Sequence, residues 1–141
     1  MIHALTPILL LLHPHSGAPT PNANWDCHKP QAQQEMNWCA ADEYKVADDK
    51  LNAQWAITSA KMKERDAASA DSLPDWDERP GWHENLLKAQ RAWITFRDAH
   101  CQLDGYTARG GSLEPLLVST CMTELTKTRT RQLREMTDGP D

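Results

Sequence analysis

From Gln31 to Arg65 the chain contains neither glycine nor proline. Along that stretch Met36, Ala40, Tyr44, Ala47, Leu51, Trp55, Thr58 and Met62 recur at steps of three or four. That spacing lines side chains along one face of an α-helix. Asp42, Lys45, Asp49, Lys63 and Glu64 fall outside the stripe, as solvated residues of an amphipathic helix do. The spacing predicts one long helix from about residue 31 to 65, with a bend near Cys39.

A second uninterrupted run covers Leu86 to Cys101. Leu86, Gln90, Trp93, Arg97 and Cys101 share a face, widened by Leu87 and Ile94. The predicted helix spans about 82 to 104, with Gly105 at a C′ position. Gln90 and Arg97 are unusual on such a face. Leaving a buried polar group unpaired costs roughly 1–3 kcal/mol, so acceptors must come from elsewhere in the chain. A third helix carries Leu116, Leu117, Cys121, Leu125, Thr128 and Leu133. Ser112 is its candidate N-cap, and Glu114 and Pro115 suit its first turn.

Residues 66–82 break the pattern with Pro74, Pro80 and Gly81, so they read as a connector. Trp76 and Trp82 are expected to fold back from it onto the helices. With no convincing strand and short connections, the fold class is all-α: a small three-helix up-down-up bundle.

The four cysteines are Cys27, Cys39, Cys101 and Cys121. An even number in a small exported chain implies two disulfides, for which three pairings are possible. The local pairs Cys27–Cys39 and Cys101–Cys121 are preferred, because a helical hairpin brings Cys101 near Cys121 and the segment before the first helix can double back to Cys39. Structural zinc sites offer two cysteines two to four residues apart, and no such spacing occurs here. No cofactor or metal is expected.

Residues 1–24 carry no Asp, Glu, Lys or Arg, and Ile8–Leu12 is apolar. Residues 1–23 therefore read as a secretory leader, atypical in lacking a basic n-region. Its apolar run is too short to span a bilayer. The expected organisation is a leader at 1–23, a helical domain at 24–137 and a frayed tail at 138–141. The expected location is the periplasm or the exterior.

A formal net charge of −5 argues against nucleic acid as a partner, since neutralising phosphates needs a basic face. Charge is unevenly placed. Asp66, Asp71, Asp75, Asp77 and Glu78 form an acidic group, and Lys127, Arg129, Arg131 and Arg134 form a basic strip. The sequence offers no nucleophile with an adjacent base and no Gly-rich phosphate loop after a strand, so an enzyme is not expected. Asp48, Asn52, Gln90, Arg97, Asp98 and Arg129 are instead expected to form an interhelical polar network that fixes the register.

Several motifs occur in order. They are Cys27 twelve residues from Cys39, Met36-Asn-Trp-Cys39-Ala, and Asp48-x-x-Leu51-Asn52-x-x-Trp55. They continue with Ala89-Gln90-Arg-Ala-Trp93-Ile-x-Phe-Arg97-Asp98 before Cys101, the Gly-Gly-Ser loop, Cys121, and Leu125-Thr126-x-x-Arg129. In these residues, over roughly 26–133, the chain resembles the LprI-like lysozyme-inhibitor domain of bacterial envelope proteins. The resemblance implies a helical exported protein with two local disulfides, and a lysozyme-type glycosidase as candidate partner. The Trp-rich acidic connector and the leader depart from the family pattern.

An acidic inhibitor would be steered toward a basic lysozyme. Two loops are candidates to enter its cleft. One is 66–82, with Trp76 and Trp82 as anchors and Asp75, Asp77 and Glu78 as steering charges. The other is Arg109-Gly-Gly-Ser112, whose Arg109 can meet a carboxylate. The alternative function is an envelope adaptor that binds another protein and has no enzyme target.

Overall fold

The computed structural model describes residues 25–138. The expected leader and residues 139–141 of the expected tail lie outside the described residues. Three helices make up the fold, with no strand among the described residues: α1, Gln33–Ser69; α2, Trp82–Gly105; and α3, Glu114–Asp138. A 3-10 turn, Tyr106–Ala108, follows α2. α1 passes through Cys39 without interruption.

Side-chain contacts fix the order as up-down-up. Asn37 donates to the Ser112 carbonyl and Thr58 to the Leu133 carbonyl, so α1 and α3 run in the same direction. Ser59 meets His83, and Arg97 meets Asp48, so α2 runs against them.

The apolar centre is small. Leu51, Met62, Leu86 and Leu133 are buried, with Trp55 and Trp93 packed against them while half-buried. Much of the remaining interior is threonine: Thr58, Thr123, Thr126 and Thr130 are all buried. A helical threonine can be buried cheaply when its hydroxyl donates to a nearby carbonyl. Thr123 donates to the Ser119 carbonyl and Thr130 to the Thr126 carbonyl, each at 2.9 Å. Thr58 reaches across to α3, and Gln54 donates to Thr58 in turn.

Both disulfides close locally, Cys27–Cys39 and Cys101–Cys121. They lie at the same end of the bundle, where α1 and α3 begin and α2 finishes. There Glu35, three residues past the Ala32 boundary, reaches back along the chain. Its carboxylate accepts from the backbone N–H of Gln31 at 2.6 Å and of Asp26 at 2.9 Å. These bonds favour the ionised form and hold the Glu35 carboxyl below its usual range. Trp25 packs edge-on against Trp38 beside the first disulfide.

Two terminal expectations are corrected. Gly105 is not a left-handed cap: it has φ −60° and belongs to α2. Glycine is required there by close packing, because a Cβ would lie 2.5 Å from Val118 Cγ2 on α3. Ser112 does not cap α3, which starts at Glu114; the Glu114 carboxylate accepts from the Gly110 N–H at 2.7 Å, and the Ser112 carbonyl serves Asn37. The left-handed residue of this loop is Gly110, with φ +76°.

Candidate protein-binding surface

Polar side chains from all three helices meet in the middle of the bundle. Arg97 of α2 is 6% exposed. Its guanidinium donates to Asp98 at 2.9 Å, and to Asp48 of α1 and Thr126 of α3 at 3.4 Å each. Tyr44 and Trp93 lie at 5.4 and 5.0 Å from its central carbon, so the planar cation also faces two aromatic rings. Burial and the Asp48 and Asp98 charges push the Tyr44 phenol up, and Arg97 opposes them. Asn52 donates to Asp48 at 3.1 Å from the exposed rim of the group.

Nearer the Trp82 end of α2, Arg129 donates to Gln90 at 2.9 Å and to Gln132 at 3.3 Å. It meets none of Asp48, Asn52 and Asp98. Its Nη2 is buried without a protein acceptor, and burial pushes its guanidinium pKa down. Two arginines on one bundle are therefore in different situations. One is compensated by carboxylates; the other is held by neutral amides.

This layer links the helices to one another. Among the described residues no cluster of His, Cys, Asp and Glu could hold a metal ion. The two loops named as candidates to enter a cleft lie at the two ends of α2.

At one end is the connector. Asp66 anchors its base by accepting from the N–H groups of Trp82 at 2.6 Å and His83 at 3.0 Å, so it serves as the missing cap of α2. Arg79 grips Asp77 through two hydrogen bonds of 2.7 and 2.6 Å, which lower the Asp77 carboxyl to about 2. Asp77 is thus spent internally and adds little to a steering field. Asp71, Asp75 and Glu78 are exposed and form no ion pair among the described residues.

The expectation that both tryptophans fold back onto the helices is corrected for Trp76, whereas Trp82 lies back against Arg65 of α1. Trp76 is 76% exposed and Trp82 55% exposed. The Asp66 cap draws residues 66 and 82 together, so the intervening chain loops outward with Trp76 on it. Trp82 opens α2 and lies against Arg65 at 5.4 Å, not in the core. Leu73 adds a further exposed apolar side chain.

At the stapled end, Arg109 stacks over Tyr106 at 4.4 Å, and both are exposed. The two candidate loops sit at opposite ends of α2, whose 24 residues span about 36 Å at ~1.5 Å per residue. They are alternatives and cannot enter one cleft together.

The molecule is thus a disulfide-stapled helical bundle whose polar side chains link its helices and whose connector leaves Leu73 and Trp76 exposed. The match of residues 27–133 to the lysozyme inhibitor LprI family covers most of the chain, and the chain belongs to that family. It is 42% identical over 116 residues to an uncharacterized protein of Rhizobium meliloti (strain 1021), covering 82% of this chain and 81% of the relative. No solved structure matches.

Proposed function

We propose that this chain is an exported inhibitor of lysozyme-type glycosidases, acts as a binding protein and not as an enzyme, and engages its target through the 66–82 connector. Family membership carries the inhibitor reading. The observation that carries the choice of surface is Trp76, the most exposed of the large apolar side chains among the described residues, flanked by three carboxylates without an ion pair. Tryptophan is enriched among residues that dominate binding energy, and a tryptophan left in water gains from burial in a partner.

Lysozyme-type enzymes place two carboxylates in a cleft, and a loop that fills the cleft blocks substrate. Asp71, Asp75 and Glu78 would steer the connector toward a basic enzyme surface. Trp76 would then enter the cleft, with Leu73 and Trp82 beside it. Two disulfides and the LprI match fit a periplasmic or secreted location. No helix among the described residues is long and apolar enough to cross a membrane.

The test is a turbidity assay of cell-wall lysis with oxidised protein beginning at residue 24. Chicken-type, goose-type and invertebrate-type lysozymes are each assayed. Inhibition of at least one class, at a stoichiometry near one, is expected. No inhibition and no binding to any class leaves the adaptor reading in its place.

A further inference from the structure

Between α1 and α3 runs a groove of about 460 Å³ that the lysozyme reading does not use. Val46 and Ala47 supply its apolar surface, and Lys50, Lys127, Arg131 and Arg134 rim it. The single carboxylate there, Glu43, is engaged by Lys127 at 2.8 Å. Lys127 also meets Glu124 at 3.4 Å, so four cations against two carboxylates leave two positive charges on a chain whose net charge is −5. Lys50 and Arg134 form no ion pair among the described residues, and Arg131 reaches only the Thr128 hydroxyl at 3.5 Å.

The connector is the complement. Between residues 70 and 81, Asp71, Asp75, Asp77 and Glu78 outnumber Arg79 by three charges, and Leu73 and Trp76 are exposed between them. Within one molecule no residue of the connector lines the groove. Lys50 lies 19 residues before the end of α1, about 28 Å at ~1.5 Å per residue. Asp75 is six residues beyond Ser69, a reach of at most about 21 Å even fully extended. Turns closed by Ser72 onto Ser69 and by Asp77 onto Pro74 shorten it further.

We infer that the groove receives the acidic connector of a second copy of this chain. The contact that one molecule does not make with itself can form twice between two. A two-fold axis perpendicular to the helices, midway between groove and connector, sets each connector on the other's groove. The contact then closes as a dimer and does not grow into a chain. Its attraction is between opposite charges at the surface, so it weakens with salt.

The experiment is sedimentation velocity of the oxidised protein at about 0.02 M and about 0.5 M salt, where screening lengths differ several-fold. Two charge-reversed variants accompany it: Arg131→Glu with Arg134→Glu, and Asp75→Lys with Glu78→Lys. All four residues are exposed. Expected results are a wild-type dimer at low salt, dissociation constants at least ~10-fold weaker at high salt, and monomers for each variant alone. Mixing the two variants should restore a dimer, because each reversed groove then faces a reversed connector. A wild-type monomer at low salt and millimolar concentration overturns the inference. So does a dimer that survives either reversal, or a mixture that stays monomeric. No lysozyme is present, so failure here leaves the inhibitor reading untouched.

Discussion

The two ends of this bundle are held by different means. At the stapled end, two disulfides, the Glu35 carboxylate and the Asn37–Ser112 bond tie the chain's turns to the helices. Gly105 lets α2 approach Val118 of α3 there. At the open end, the Asp66 cap and the Arg65–Trp82 contact hold a connector that points its apolar side chains at water. Disulfides and side-chain bonds to the backbone secure one end, while the other exposes the side chains that the proposed function takes as anchors.

The largest effect should come from the staples. Replacing Cys101 and Cys121 together by alanine should cost about 3–5 kcal/mol. A 20-residue loop is released, and Cys101 is fully buried. Replacing Cys27 and Cys39 should cost less, about 2–3 kcal/mol, since the loop is 12 residues and Cys27 is exposed. Urea unfolding of both variants checks the order. A reversed order would show that the segment before α1 matters more than the α2–α3 hairpin.

Next come the arginines of the polar layer. Arg97→Met should cost about 2–3 kcal/mol, discounted from a fully buried pair because Asp48 is partly exposed. Arg129→Met should cost less, about 1 kcal/mol, since the change removes a buried Nη2 that has no acceptor. Equal losses in urea unfolding would mean that the carboxylates near Arg97 add nothing.

A smaller effect should appear with pH. Folding holds the Glu35 carboxyl below its usual range, so its contribution is intact above the unfolded-state value and fades as pH falls through the lowered one. Thermal melts from about pH 6 down to pH 3 should show wild type losing more stability than Glu35→Gln over that window. Parallel curves would show that the Asp26 and Gln31 bonds do not matter to folding. The smallest effect belongs to the open end: Trp76→Ala should change folding stability by no more than about 0.5 kcal/mol.

The stapled end was more legible in the sequence than the open one. Helices announce themselves where Gly and Pro are missing for tens of residues, and hairpins make cysteine pairs local. The polar residues could be named as one group, but not how they divide between the two arginines. Arg129 turned to Gln90 because its level in the bundle faces that part of α2, and level depends on three-dimensional register. The threonine layer was hidden because threonine reads as polar, although a helix supplies the carbonyl that satisfies it. The connector misled for a related reason. Tryptophan in an irregular segment suggests a return to the core. Asp66, which reads as one more acidic residue, instead caps α2 and closes the loop before Trp76 can reach it.

The most direct test of this division sets one anchor from each end against the other. Inhibition constants of Trp76→Ala and Arg109→Ala are measured on whichever lysozyme class wild type inhibits, together with their melting temperatures. Trp76→Ala is expected to weaken inhibition at least ~10-fold with an unchanged melt, while Arg109→Ala inhibits like wild type. Full inhibition by Trp76→Ala, or a loss confined to Arg109→Ala, would contradict this and move recognition to the stapled end.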